Sequence, residues 1–235
     1  MTYAADGQRR RGRPPRISRD HIVDAACEVG IENLTMAAVA ERLGVTHQSL
    51  YGWVQDRDEL IDLVSDRLIA RIEIQPPADP ASWRVSLRSY ANSVRRLAEE
   101  TPGFAAAGLR RFRTLDNSEK LNHDVLLLLT DVGFEPPMAQ RVYDSLNSVL
   151  LGWLAREQSL IAIRQRLSAG PSGSRGLITD FAEAELRAPA DERFEFLIHS
   201  FLAGLPDPSP TPVAPAVGIV VDIRDDLVEQ AIGVE

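Results

Sequence analysis

Residues 46–57 read Thr46-His47-Gln48-Ser49-Leu50-Tyr51-Gly52-Trp53-Val54-Gln55-Asp56-Arg57. Wound as a helix with Leu50 and Val54 turned to a core, this run places Gln48, Gly52 and Gln55 on the opposite side. Ser49 and Tyr51 flank them, and His47 sits at the amino end. The outward surface is therefore amide, hydroxyl and phenol, without a carboxylate. Those groups can read base edges: Gln pairs bidentately with adenine and Ser is permissive. The amino end of such a helix is the part that meets the bases. A solvated helix normally carries Glu and Lys instead, and a generic helical hairpin is the alternative reading.

A second group of residues points the same way. Residues 1–19 hold Arg9, Arg10, Arg11, Arg13, Arg16 and Arg19 against Asp6, a balance of +5, whereas the rest of the chain carries −13 and the total is −8. A basic arm on an acidic body repels polyanions everywhere except at one end, which suits nucleic acid or an anionic surface. A solubilising tail would look the same on charge alone. Enzyme signatures are missing: there is no Gly-x-Ser-x-Gly, no phosphate-binding Gly-rich loop and no His-Glu-x-x-His. His21, His47, His123 and His199 are scattered without metal-ligand spacing, so no metal, cofactor or catalytic residue is expected. His123 and Asp124 are adjacent, and adjacent helical residues do not face each other.

The remaining composition is that of a globular protein: 235 residues, 44% hydrophobic and 26% charged, enough to bury a core without disulfides or metal. Cys27 is the one cysteine and fits a reducing, cytoplasmic setting. The longest apolar stretch, Val149 to Ala155, is too short for a membrane span. The charged N-terminus lacks the apolar run of a signal peptide.

The elements that would position these residues are all helical. Pro14 and Pro15 exclude a helix from the arm, and Ser18 is an N-cap for Ile22, Ala25, Ala26 and Val29, with Gly30 ending the run. Thr35 caps a short helix through Leu43, and Gly44 follows where a positive φ is needed. Thr46 then caps the second short helix, giving a helix-turn-helix pattern. Asp56 and Glu59 form a capping box for a helix predicted to reach about Ile74, where Pro76 and Pro77 stop it. Asp79-Pro80 opens a helix with Trp83, Leu87, Tyr90, Val94 and Leu97 on one stripe. A short segment covers Phe104 to Phe112. Ser118 caps a helix whose added leucines at 126, 127 and 129 predict a central position. A long helix spans 136–168, Ala169 to Gly176 reads as a mobile loop, and the last helix covers 190–205. Five prolines in 206–215 make an extended linker. The alternation of Val217, Ile219, Val221 and Ile223 beyond it gives no firm placement for the tail.

The runs Arg-Gly-Arg-Pro, Leu34-Thr35-Met36-Ala37-Ala38-Val39-Ala40-Glu41-Arg42-Leu43-Gly44-Val45 and Ser49-Leu50-Tyr51-Gly52-Trp53-Val54 through Leu60 resemble the TetR family of bacterial transcription regulators. The resemblance covers residues 16–75. It implies that Tyr51 contacts DNA and that Thr35 and Arg57 touch phosphate. Trp53 stands where many members have His or Phe, and Gly52 where a bulkier residue is common. Glu73 lies near the position at which tetracycline-type members carry a magnesium-linked histidine, so neither that metal nor that drug is expected. Arg11-Gly12-Arg13-Pro14 also resembles the core of AT-hook segments, which suit an A·T-rich minor groove.

The resulting expectation is an all-α chain: a disordered basic arm over 1–15, a three-helix DNA-binding domain over 16–62, a larger regulatory domain over 63–205, and a linker and tail over 206–235. Its DNA contacts are Arg11, Arg13, Arg16, Thr35, Thr46, His47, Gln48, Ser49, Tyr51, Gln55 and Arg57. The resemblance implies a small-molecule pocket. Tyr90, Phe104, Phe112, His123, Tyr143 and Asn147 interrupt the apolar stripes and suit a hydrophobic or aromatic effector, though each can equally be core. It also implies a homodimer through the two long C-terminal helices, at Val149, Trp153, Phe194, Leu197, Phe201 and Leu202, stripes that can equally pack within one subunit. The function so read is a ligand-responsive repressor on a palindromic double-stranded DNA operator. The alternatives are an activator, or a helical ligand carrier or enzyme with a vestigial DNA-binding end.

The arm is directly testable. Deleting residues 1–16 removes five arginines per chain. Affinity for DNA should fall, and each lost phosphate contact should lower the log–log salt slope by ~0.9. A salt titration on duplexes with A·T-rich and G·C-rich flanks reads both effects. Equal slopes for the full-length and shortened chains would make the arm a solvated tail.

Overall fold

The computed structural model describes residues 17–110, 115–167 and 187–208. The arm with Arg11, Arg13 and Arg16, the pocket candidate Phe112, the Ala169–Gly176 loop and the tail from 209 lie outside them. All the described regular elements are helical. The first three are α1 (Arg19–Val29), α2 (Met36–Leu43) and α3 (Arg57–Ile69). Five more follow: α4 (Trp83–Glu100), α5 (Phe104–Arg110), α6 (Asp116–Asp131), α7 (Pro136–Leu167) and α8 (Ala190–Ala203).

The local signals act as their chemistry dictates. The Ser18 hydroxyl accepts the His21 N–H at 3.2 Å, and the Thr35 hydroxyl accepts that of Ala38 at 3.0 Å. Gly44 adopts φ 65°, which sends the Val45 N–H back to the Ala40 carbonyl at 3.0 Å. The Asp56 carboxylate takes the Glu59 N–H at 2.7 Å. The reciprocal half of that box is shifted by one residue, because Glu59 accepts the backbone N–H of Gln55 rather than that of Asp56.

Ile22, Ala26, Leu34, Val39, Leu50, Leu60 and Val64 form a closed core among α1, α2, α3 and the turn after Gly44. The larger group packs around α7, which meets α4, α5 and α6, while α8 lies on α4. Trp83 meets Phe134 edge-on at 4.9 Å. Arginines of α4 fix α8: Arg84 donates to the carbonyls of Leu202 and Leu205, Arg88 pairs with Glu195, and Arg95 pairs with Asp191.

Several expectations need correction. The third helix stops at Ile69 and not at Ile74. The Arg71 and Ile72 N–H groups close i→i+3 bonds, and the Glu73 N–H leaves the axis for the Ser93 hydroxyl of α4. The boundary expected at 62/63 therefore falls inside one continuous helix. α6 is not central: Leu127 is 46% exposed, because only the Leu121–Val125–Leu128–Leu129 face meets α3 and α7. In α8, Phe194 and Leu202 are buried within the chain itself and Phe194 packs on Trp153 at 5.2 Å, whereas Phe196 is 74% exposed. The α8 stripe therefore faces its own core, and only Leu197 and Phe201 of the expected α8 interface are half-exposed.

Phe194 is a large, fully buried side chain. Phe194→Ala should lower stability by about 3–5 kcal/mol, measured by urea denaturation. A loss below 1 kcal/mol would contradict this packing.

Candidate DNA-reading surface and ligand cavity

The segment after Gly44 is tighter than an α-helix. His47–Leu50 is a single 3-10 turn, and the turn continues through Trp53 with N–H bonds from Tyr51 to Gln48 and from Trp53 to Leu50. Thr46 does not cap it. Its hydroxyl lies 2.9 Å from that of Ser49 instead. Gly52, with its high cost in a helix interior, sits in the middle of this tightened turn. The side-chain polarity survives the change of geometry. Leu50 and Val54 are buried, while Thr46, His47, Gln48, Ser49 and Gln55 are exposed and Tyr51 is 52% exposed. The rings of His47 and Tyr51 meet edge-on at 6.2 Å.

Both ends of this surface are tied to the scaffold. Exposed Thr35 begins α2, so its hydroxyl and the first N–H groups of that helix point out together. Arg57 begins α3 and donates its Nε–H to the Leu34 carbonyl at 2.6 Å. That bond brings the guanidinium next to Thr35, so the two expected phosphate contacts form one corner. Arg19 of α1 pairs with Glu59, which also holds the Gln55 N–H.

A cavity of about 580 Å³ lies among α3, α4, α5, α6 and α7. Of the expected lining, Tyr90, Phe104, Tyr143 and Asn147 border it. The Tyr90 hydroxyl donates to Asn147 Oδ1 at 2.7 Å, and the Tyr143 hydroxyl donates to Asn122 Oδ1. The two rings are 6.3 Å apart. Burial pushes both phenols above their ordinary pKa, so they are neutral donors at physiological pH. His123 is exposed and does not border the cavity. Its neighbour Asn122 does, because one residue along a helix turns the side chain by about 100°. The spacing Asn122, Val125, Leu129 was the available signal for this.

Further lining residues, among them Asp62 and Asp66, come from α3. Asp66 also grips the start of α6, accepting the Ser118 N–H and the Asn117 side-chain amide, each at 2.9 Å, and the Asn117 N–H at 3.3 Å. A second contact joins the two parts of the chain. Gly103, at φ 88°, leads into α5, and a Cβ there would stand 3.2 Å from the Glu32 nitrogen and from Ile31 Cγ2. Gln158 of α7 braces this turn, donating to the Ala98 carbonyl at 2.9 Å. Among the described residues no group of three or more His, Cys, Asp and Glu converges to hold a metal ion, and no helix is long and apolar enough to cross a membrane.

Asp66→Ala should free the α6 amino end, lowering stability by about 1–3 kcal/mol and raising amide exchange at Asn117 and Ser118. Unchanged protection there would show that Asp66 does not hold α6.

Comparison with known proteins gives a consistent picture. No family model matches the chain. It is 30% identical over 135 residues to the HTH-type transcriptional repressor DrrR1 of Streptomyces coeruleorubidus, a match covering 54% of this chain and 48% of that one. It is 35% identical over 86 residues to the class D tetracycline repressor protein of Escherichia coli, covering 34% and 39%. The chain thus spans about half the length or less of these curated relatives. Among solved structures, the TetR family protein ActR of Streptomyces coelicolor in complex with (S)-DNPA matches with a TM-score of 0.67 and 26% identity, over 80% of this chain and 96% of that one. ActR in complex with actinorhodin matches with a TM-score of 0.65 and 25% identity, over the same shares of the two chains. In its all-helical fold, in the turn that follows Gly44 and in these relatives, the chain is similar to TetR family transcription regulators.

Proposed function

We propose that the chain is a ligand-responsive, DNA-binding transcriptional repressor. The observation that carries this reading is the exposed, carboxylate-free surface from Thr46 to Gln55, with Thr35 and Arg57 joined at its edge by the Leu34 carbonyl. Tyr51, Gln48 and Ser49 face base edges in the major groove, and the Thr35–Arg57 corner takes a backbone phosphate. The relatives support it: DrrR1 is named a transcriptional repressor, and ActR has been solved with actinorhodin.

A repressor of this kind binds as a homodimer to a palindrome, its two reading surfaces one helical turn apart, ~34 Å. The half-buried Val149 and Trp153 of α7 and the Phe196, Leu197 and Phe201 side chains of α8 form the dimer face. The effector enters the Tyr90–Tyr143 cavity. Through Asp66 and α6 it shifts α3, whose Glu59 holds the Gln55 end of the reading surface. The chain acts on DNA in the cytoplasm and performs no catalysis.

Tyr51→Ala tests the DNA reading. On a duplex selected from random sequence by the wild-type protein, specific binding should fall by at least about tenfold with helical circular dichroism unchanged. Wild-type affinity in that variant would overturn the assignment. Phe196→Glu tests the dimer, since a charge at an otherwise apolar contact should shift the sedimentation of the chain from dimer to monomer at micromolar concentration. A wild-type chain that sediments as a monomer would remove the dimer from the proposal.

A further inference from the structure

A second cavity, an open groove of about 590 Å³, runs between α6 and the segment that joins α3 to α4. Ile72, Ile74 and Pro77 form one wall, and Leu121, Leu127 and Leu128 form the other. Leu127 is 46% exposed, so this face of α6 presents a large apolar side chain to solvent. Asp79, Asp124 and Asp131 stand on the rim, and Asp79 is already engaged, accepting the Ala81 and Ser82 N–H groups. Ile72 and Leu121 also border the Tyr90–Tyr143 cavity, so the groove and that cavity share a wall.

The chain leaves the described residues close to this groove. Arg84, at the start of α4, pairs with Asp207 at 2.6 Å and donates to the Leu205 carbonyl at 2.9 Å. Its guanidinium lies 4.2 Å from the centre of the Trp83 ring, and Trp83 meets Phe134, two residues past Val132 at the end of the groove. Residues 209–235 follow. Ten residues lead from Asp207 to Val217, and at a polyproline rise of ~3.1 Å each they can span ~31 Å. Val217, Ile219, Val221 and Ile223 then alternate, so an extended backbone puts all four on one face. An extended chain from Val217 to Ile223 measures ~20 Å, and α6 from Leu121 to Val132 measures ~17 Å.

We propose that the groove is the docking site of the chain's own tail, with residues 217–223 extended along α6 and Val217, Ile219, Val221 and Ile223 turned onto Leu121, Leu127 and Leu128. The contact is apolar. The tail from residue 209 carries five acidic side chains against Arg224 and meets an acidic rim, so salt strengthens docking by screening the repulsion. The basic arm is the other segment of this chain that an acidic rim suits, but it departs from the opposite end of α3. Arg19 pairs with Glu59, which lies ten residues and ~15 Å along the helix from Ile69. The docked tail covers the outer side of Ile72 and Leu121 and so braces the wall shared with the Tyr90–Tyr143 cavity. The assignment is independent of what that cavity binds.

The test is disulfide trapping in the full-length chain carrying Cys27→Ser. Leu127→Cys is combined with Ile219→Cys in one chain and with Val221→Cys in a second. Val85 is 66% exposed and sits beside Arg84, so a free tail meets it at least as readily, and Val85→Cys replaces Leu127→Cys in the controls. Under mild oxidation, at least one Leu127→Cys pair should close within a single chain at least about tenfold faster than its control. That rate should hold or rise between about 0.1 M and about 0.5 M salt. Adding Val217→Glu and Ile223→Glu should bring it down to the control rate. Closure no faster than the controls for both pairs overturns the docking. A linked product of twice the chain's mass puts the tail on a second copy and overturns the intrachain assignment. Faster closure of Leu127→Cys with Gln8→Cys, lost at the higher salt, gives the groove to the basic arm and overturns the proposal.

Discussion

The structure depends on α3 being buried on two sides at once. Leu60 and Val64 complete the apolar core with α1 and α2, while Asp62 and Asp66 border the cavity and Asp66 holds α6. Of the ion pairs that also join α1 to α3, Arg67 with Asp20 and Asp24 is exposed on both sides, and Arg19 is exposed opposite a half-buried Glu59. Exposed pairs of this kind contribute ~0–1 kcal/mol each, so the apolar core is what makes α1, α2 and α3 move as one piece. Nine residues separate Asp66 from Arg57, a lever of ~14 Å at 1.5 Å per residue. A tilt of about 10° at the cavity end would therefore displace the Arg57 end, and the turn before it, by ~2 Å, more than a hydrogen bond tolerates.

The Gly103 turn adds a second point of contact, and its position limits what the lever can do. Gly103 packs against Ile31 and Glu32, just ahead of α2, and Phe104 next to it borders the cavity. The first part of the chain is thus touched at two places, through α3 and through the turn before α5. A ligand that pushes on only one of them rotates that part about the other, whereas one that pushes on both translates it.

How much of this was legible in the sequence follows from the range of each signal. Caps and breakers act within four residues, so Ser18, Thr35, Gly44 and Asp56 announced their elements correctly. The end of α3 was missed because it is decided by a long-range bond, from the Glu73 N–H to Ser93, which no local pattern contains. The 3-10 form at His47–Leu50 was missed because a two-turn window cannot separate i→i+3 from i→i+4 bonding, yet the outward polarity was read correctly since Leu50 and Val54 face inward in either form. For α8, periodicity identified a buried stripe but not what buries it. Phe194, Ile198 and Leu202 face their own chain, and the exposed Phe196 lies off the stripe. At the cavity, the aromatic residues were visible as interruptions of apolar stripes. Asn122 and the α3 carboxylates were not, because a polar residue beside a stripe looks like surface until another helix covers it.

The polar groups of the cavity are satisfied before anything binds. Tyr90 and Tyr143 donate to Asn147 and Asn122, and no buried side-chain nitrogen or oxygen among the described residues lacks a partner. A ligand hydroxyl or carbonyl that competes for these groups exchanges one hydrogen bond for another and gains about 1 kcal/mol or less, while a poor fit that strands a buried partner costs 1–3 kcal/mol. Hydrogen bonding here therefore rejects wrong guests more than it attracts right ones. Attraction has to come from burial of ring surface and from charge. The shape of the cavity then sets which rings enter.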